Sequence, residues 1–277
     1  MRLSWTQARV PFRRGIPFSF QRALAIREKI LSPDDPRTAT TLTQLADVVH
    51  DQDDLPTARM LHERALAIRE KALGPEHPHT AWSLDELARV LQDQGELAQA
   101  QSLSERALAI REKVDGPDHP RTATSLHNLG TVLRDRGDLL RARPLFERAL
   151  SIREKSLGAE HPHSAWSVHS LAGLLEALGD LAGAQQLYNR ALEIQETLFG
   201  SDHPDIATTL NNLAILNKAQ GKVADALPLS ERALTIRDKA LGPNHPWTKD
   251  SARVTADALD ALGRSEEAAA LRERYGL

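Results

Sequence analysis

Histidine is the residue type in this chain with the most evident capacity for chemistry. Eleven histidines are present. The segments His77–His79 and His161–His163 each place two imidazoles around a proline, but neither has a third Cys or carboxylate ligand at a zinc-site spacing. His62 and Glu63 begin a zinc-protease motif, yet Leu66 stands where the second histidine is needed. The sequence therefore predicts no metal site.

Other catalytic constellations are also missing from the sequence. The chain has no cysteine, which excludes disulfides, thiolate zinc sites, iron–sulfur clusters and Cys nucleophiles. It has no phosphate-binding P-loop, no dinucleotide-binding glycine motif and no Gly-x-Ser-x-Gly nucleophile motif. We predict a protein that is not an enzyme and that uses no cofactor.

Composition and charge narrow the classes of partner. The 277 residues are 41% hydrophobic and 26% charged, and 35 basic against 38 acidic side chains give a net charge of -3. This balance argues against nucleic-acid binding and against a polybasic membrane patch. No apolar run reaches the length of a membrane span, and the N-terminal residues lack the apolar stretch of a signal peptide. We expect a cytoplasmic protein with no nucleic-acid or membrane partner.

The histidines belong to a repeat of 42 residues. Five of them precede a proline at constant spacing, at His77, His119, His161, His203 and His245. A second set of markers keeps the same step, at Arg22, Arg64, Arg106, Arg148, Arg190 and Arg232. Since neither set shows an insertion or a deletion, one structural unit is repeated along the chain.

Each unit has the pattern of two helices. The first begins at a proline such as Pro78, which suits the first helical turn. Its apolar residues have helical spacing, at Leu84, Leu87, Ala88 and Leu91. Gly95 ends it, at a turn that favours positive φ. A longer second helix starts near Leu97 and ends at Gly116. The unit is therefore predicted to be a helical hairpin.

Small residues recur where hairpins must approach one another. Ala100 and Ala107 have alanine equivalents in the neighbouring units. Because one hairpin cannot bury its apolar faces alone, the predicted fold is an all-α solenoid, a superhelix of stacked antiparallel helix pairs. It covers residues 20–277, with a partial helix at 20–31 and units starting near residues 36, 78, 120, 162, 204 and 246. Residues 1–19 break the pattern, and we interpret this irregular segment as a truncation or a misplaced start.

The repeat resembles the tetratricopeptide repeat, in the 42-residue form of kinesin light chains. The resemblance rests on the Leu, Leu-Ala, Gly, Ala and Ala positions and on segments such as HERALAIREKALGPEHP at residues 62–78. It implies a protein-docking scaffold without chemistry of its own. It also implies a concave groove lined by the first helices, in which asparagines of an LNNLA segment hold an extended peptide.

The groove residues match the family only in part. The segment TLNNLAIL supplies Asn211 and Asn212, whereas the third unit keeps Asn128 alone. The predicted groove positions sum to a charge of about -5 when the repeat register assigns five columns per first helix. We therefore expect a protein or peptide ligand that is not strongly acidic, in contrast to the acidic peptides that the resemblance implies.

Trp82 and Trp166 occupy the same position two units apart. Two interpretations stay open: the indoles anchor a ligand, or they fold onto the neighbouring hairpin as core. If both are anchors, a spacing of roughly 20 Å corresponds to about six residues of extended peptide. The ligand would then carry two apolar side chains at that separation.

The repeat pattern and the charge favour one function over two alternatives. We predict a non-catalytic protein-interaction scaffold that binds a peptide or partner protein in the concave groove. Its groove residues are Trp82, Asp85, Arg89, His127, Asn128, Arg134, Trp166, His169, Asn211, Asn212 and Lys218. The alternatives are a sensor segment of a larger signalling ATPase and an RNA-binding helical-repeat protein, whose groove should be basic. The sequence predicts neither the partner nor the oligomeric state.

Overall fold

The computed structural model describes residues 29–277 together with residues 22, 24, 26 and 27. The predicted irregular segment 1–19 lies outside the described residues. Within the predicted partial helix, the described residues from Arg22 to Ile30 are helical.

Twelve helices follow between residue 36 and the C-terminus. The first helices of the repeats are α1 (Pro36–Asp51), α3 (Pro78–Asp93), α5 (Pro120–Asp135), α7 (Pro162–Ala177), α9 (Pro204–Ala219) and α11 (Pro246–Ala261). The second helices are α2 (Leu55–Leu73), α4 (Leu97–Val114), α6 (Leu139–Leu157), α8 (Leu181–Phe199), α10 (Val223–Leu241) and α12 (Ser265–Tyr275).

The helices of several repeats group into two larger compact bodies, which are called the N-terminal unit and the C-terminal unit below. The N-terminal unit ends at residue 156, within the last turn of α6, and holds α1 to α5 and nearly all of α6. The C-terminal unit starts at residue 157 and holds α7 to α12. Each unit is a stack of helix pairs without β-strands among its described residues, which confirms the predicted all-α solenoid class. None of the described helices is long and apolar enough to cross a membrane.

A proline and the residue before it start every first helix. Proline occupies the first turn, and the preceding side chain accepts a hydrogen bond from the backbone N–H two residues later. Asp35 does this for α1, and a histidine Nδ1 does it for the other five first helices. The recurring histidines are therefore helix N-caps, a role that the sequence analysis did not assign.

Glycines end the first helices with positive φ, as predicted. Gly95 has φ +81°, and the four equivalent glycines, at 137, 179, 221 and 263, have values from +76° to +84°. Asp53 occupies this position after α1 with φ +66°. The first repeat therefore makes the same turn with a residue that has a Cβ.

The core is a chain of small clusters between successive helices. Ala81 and Leu84 of α3 pack with Ala107 and Ile110 of α4, all buried. One alanine position is replaced by Gly130, because a Cβ there would lie 3.2 Å from the buried ring of Phe146. Close packing of small residues thus sets the helix spacing.

Candidate functional site

One column of predicted groove residues is buried between repeats. Asp85, His127, His169 and Asn211 are exposed by only 6%, 3%, 4% and 1% respectively. The repeat register predicted that these side chains face an open groove. In the structure they are buried within their own compact unit, and their contact with a ligand stays a prediction.

Hydrogen bonds to the next first helix explain this burial. The Ser125 hydroxyl donates to Asp85 Oδ2 at 2.7 Å. Asn211 Nδ2 donates to Ser251 Oγ at 3.0 Å. Each bond joins residues 40 positions apart, so Asp85 and Asn211 face the next first helix of their own compact unit. Helical periodicity within one repeat does not reveal which side chains that helix covers.

The two predicted groove histidines pack against aromatic rings. The centroid of His127 lies 5.1 Å from that of Phe146, and the centroid of His169 lies 5.0 Å from that of Tyr188, both edge-on. Burial lowers the pKa of His127 well below its usual value, with nearby Arg153 and Arg134 acting in the same direction. These imidazoles therefore belong to the packing of second helices on first helices.

Trp82 lies at the boundary between core and surface. Its half-buried indole Nε1 donates to Glu86 Oε1 at 3.2 Å, and the Arg69 guanidinium carbon lies 4.6 Å from its ring centroid. These contacts hold the ring in place without enclosing it. The structure thus combines features of both interpretations of this tryptophan.

A cavity of about 580 Å³ adjoins Trp82 in the N-terminal unit. Its wall includes predicted groove residues from two first helices, α3 and α5, together with a guanidinium from α4. The lining residues that matter chemically are Trp82, Asp85, Glu86, Arg111, Arg121 and Asn128. The cavity therefore offers an aromatic surface, an amide and charges of both signs.

Asp85 is the most perturbed carboxyl of this wall. Burial raises its pKa from 3.8 to about 6, against the opposing effect of hydrogen bonds from Ser125 and Asn128. Its Oδ2 accepts from Ser125, while Oδ1 is buried without a hydrogen-bond partner.

Arg89 forms a charged cluster rather than an open groove contact. Its Nη2 donates to Glu86 Oε2 at 2.9 Å and to Asp47 Oδ1 at 3.1 Å. Its Nη1 lies 3.1 Å from His50 Nδ1. The half-buried guanidinium therefore ties α3 to α1, and its pKa is raised by these carboxylates despite burial.

Asn212 is oriented by a directed chain of hydrogen bonds in the C-terminal unit. Thr209 donates its only hydroxyl proton to Gln195, so it accepts from Nδ1–H of His169. Nε2 of His169 is then an acceptor for the Asn212 amide at 3.2 Å. The same amide nitrogen lies 3.4 Å from the Tyr188 hydroxyl. Both amide hydrogens of Asn212 are thereby engaged.

The remaining predicted residues are at least partly exposed. Asn128 is half-buried beside Asp85, and Trp166 is half-buried in the C-terminal unit. Arg134 contacts the carboxylate of Asp135 at 3.4 Å. Lys218 is exposed, and its Nζ lies 3.3 Å from Asp257 Oδ2. These side chains stay candidates for ligand contact.

A column of buried arginines on the second helices was missed by the sequence analysis. Its members are Arg69, Arg111, Arg153 and Arg237. Arg237 extends beneath the first helices, donating to Ser251 Oγ at 2.9 Å and to Thr208 Oγ1 at 2.9 Å. The sequence signal was the Ala-Leu-x-Ile segment that precedes each of these four arginines. The spacing of residues along one helix does not show that this side chain extends across the helix pair.

Comparison with known families agrees with this architecture. The profile of the tetratricopeptide repeat matches residues 19–71, 42–113, 85–155, 126–197, 163–239 and 205–275. The chain belongs to the tetratricopeptide repeat family. A comparison with curated protein sequences finds no significant match.

Solved structures of tetratricopeptide repeat proteins resemble the chain. A Podosopora anserina structure, described as having nearly identical kinesin light chain TPR-like repeats, is 33% identical with a TM-score of 0.63, over 72% of this chain and 95% of that one. BtubC (BKLC) of P. vanneervenii has a TM-score of 0.64 at 21% identity, over 93% and 90% of the two chains. Apo RapI has a TM-score of 0.60 at 16% identity, over 86% and 96%, and like BtubC shows the shared fold alone. The resemblance to kinesin light chain repeats is thus confirmed.

Proposed function

We propose that the chain is a non-catalytic scaffold that holds peptide segments of a partner protein on the first helices of its compact units. The observation that carries the proposal is the cavity beside Trp82. A half-buried aromatic ring, an amide and balanced charges around a concave space are the usual surroundings of an anchoring side chain. The fold supports the same role, since tetratricopeptide repeats typically serve as protein-interaction scaffolds.

Asn212 gives the C-terminal unit a second recognition element. Because His169 and Tyr188 engage its amide hydrogens, its Oδ1 is left to accept a hydrogen bond from a ligand. Holding the side chain in one orientation before binding reduces the entropy that a ligand contact costs. A backbone N–H of an extended peptide is the donor that fits this acceptor.

The charges of the cavity favour a ligand that is not strongly acidic. Asp85 and Glu86 lie in the same wall as Arg111 and Arg121, and both arginines contact Asp115. An uncharged anchor, or a ligand with charges of both signs, suits such a wall better than a run of carboxylates.

Partner recovery with repeat-matched variants tests the proposal. Trp82→Thr and Trp166→Thr introduce the residue that the array already has at the equivalent positions 40 and 124. We expect the double variant to lose the partners that the wild-type chain recovers from its native host. Met60→Ala, on the exposed part of α2, is the control and should keep them. Unchanged recovery by the double variant would contradict the proposed site.

The RNA-binding alternative is tested separately. Filter binding with single-stranded RNA should give no saturable retention at physiological salt, because the net charge of -3 supplies no electrostatic attraction to phosphates. Tight, salt-dependent retention would favour the alternative instead.

A further inference from the structure

Three side chains of the N-terminal unit bring potential metal ligands together. Asp47 of α1, His62 of α2 and Glu86 of α3 each offer one ligand atom, and these atoms lie within 4.8 Å of one another. Nε2 of His62 is 3.8 Å from Asp47 Oδ1. One imidazole nitrogen and two carboxylate oxygens form a donor set that suits a first-row divalent ion.

His62 is the observation that points beyond an ordinary acidic cluster. The residue has 0% exposure, and neither ring nitrogen has a hydrogen-bond partner within the described structure. A buried polar group without a hydrogen-bond partner destabilises the folded chain. Burial, with the nearby positive charges of Arg89 and Arg69, also lowers the pKa of His62 to about 3. The ring is therefore neutral at physiological pH, the form in which histidine ligates metals.

The repeats supply an internal comparison for this site. Positions equivalent to His62 hold Ser104, Phe146, Tyr188, Ser230 and Arg272. Positions equivalent to Glu86 hold Gln44, Asn128, Ser170, Asn212 and Val254. The Asp, His, Glu combination thus occurs at one place among the described repeats. The array can fill the His62 position with an aromatic ring, so packing alone does not require an imidazole there.

Arg89 is a competitor for the same oxygens. Its Nη2 lies 3.1 Å from Asp47 Oδ1 and 2.9 Å from Glu86 Oε2, so it neutralises both carboxylates. It does not provide a partner for either nitrogen of His62. A divalent ion would contact all three ligands, and its binding requires the guanidinium to move aside.

We propose that Asp47, His62 and Glu86 bind a divalent transition-metal ion of the Zn²⁺ type, in competition with the guanidinium of Arg89. Solvent completes the coordination shell, because Asp47 and Glu86 are partly exposed whereas His62 is enclosed. The site is independent of the proposed peptide-binding function, and its test needs no peptide.

The test is a titration of the metal-free full-length chain with Co²⁺, followed by its visible absorption, and then displacement by Zn²⁺. We expect one saturable site. His62→Ser, which introduces the residue found at Ser104 and Ser230, should abolish the Co²⁺ spectrum while circular dichroism shows an intact fold. Arg89→Thr, which introduces the residue found at Thr131, should tighten binding about tenfold, as expected when a competing contact of about 1.4 kcal/mol is removed.

A surface variant separates this site from adventitious binding. His79→Ala disrupts the stacked His77–His79 pair outside the cluster and should leave the Co²⁺ titration unchanged. The proposal is overturned if His79→Ala removes the spectrum while His62→Ser keeps it, or if millimolar Co²⁺ produces no saturable change in the wild-type chain. An Arg89→Thr variant that binds no more tightly than wild type would overturn the competition with Arg89.

Discussion

At the scale of single residues, buried neutral histidines distinguish this chain from a purely aliphatic repeat stack. Burial lowers the pKa values of His62 and His127, to about 3 for His62 and well below the usual value for His127. Neither ring can become protonated at mildly acidic pH without disturbing the packing around it. Stability must therefore respond to pH.

The direction of this response follows from proton uptake. The unfolded chain protonates these histidines near pH 6.5, whereas the folded chain resists protonation until much lower pH, so acidification through this window favours unfolding. The slope is about 1.4 kcal/mol per pH unit for each imidazole. Asp85 opposes it below pH 6, because its folded pKa of about 6 exceeds the unfolded value of 3.8. The two imidazoles together change the free energy of unfolding more steeply with pH than the one carboxyl does.

Urea unfolding between pH 7.5 and 5 measures the prediction. The wild-type free energy of unfolding should fall over this range, and His62→Ser should reduce the slope by removing one of the two linked imidazoles. An identical slope in the variant would show that His62 titrates normally in the folded chain.

Sequence periodicity predicts where the helices lie but not which individual side chains are buried. Helix starts and turns followed from Pro78 and Gly95, because these residues act through local backbone geometry. The burial of Asp85 depends on Ser125 in the next repeat, and the Asp47, His62 and Glu86 cluster joins three helices without a linear motif. Such contacts depend on how one helix is rotated relative to another. The spacing of residues within a single repeat does not determine this rotation.

At the scale of the helix pair, Asp53 occupies a turn position whose backbone conformation favours glycine. It has φ +66° where the five equivalent turns use glycine, and a Cβ is unfavourable in this region. Asp53→Gly should raise the free energy of unfolding by about 0.5–1 kcal/mol, the relief of strain exceeding the added entropy of the unfolded chain.

The reciprocal substitution is its matched control. Gly95→Asp places the same side chain in the equivalent turn of the next repeat, at φ +81°, and should destabilise by a similar amount. Thermal melting of both variants gives the comparison. Opposite signs support the turn argument, whereas stabilisation by Gly95→Asp would refute it.

At the scale of the whole molecule, stability is expected to be a sum over neighbouring helices. Within each compact unit, the main contacts between described helices join elements that are adjacent or next but one along the chain. In such a quasi-one-dimensional array, a local perturbation loosens its own repeat before distant ones. The last repeat of the C-terminal unit allows a direct test.

Ala268 of α12 is completely buried in a cluster with Leu227, Ala256 and Leu259. Ala268→Asp would place an unpaired carboxylate there, at a cost of several kcal/mol. We expect amide hydrogen exchange to accelerate in α11 and α12 while α7 and α8 keep their protection. Ala269→Asp, at an exposed neighbouring position, should change neither region. Uniform acceleration through α7 to α12 would mean that the C-terminal unit unfolds as one cooperative block, and nearest-neighbour additivity would then fail within it.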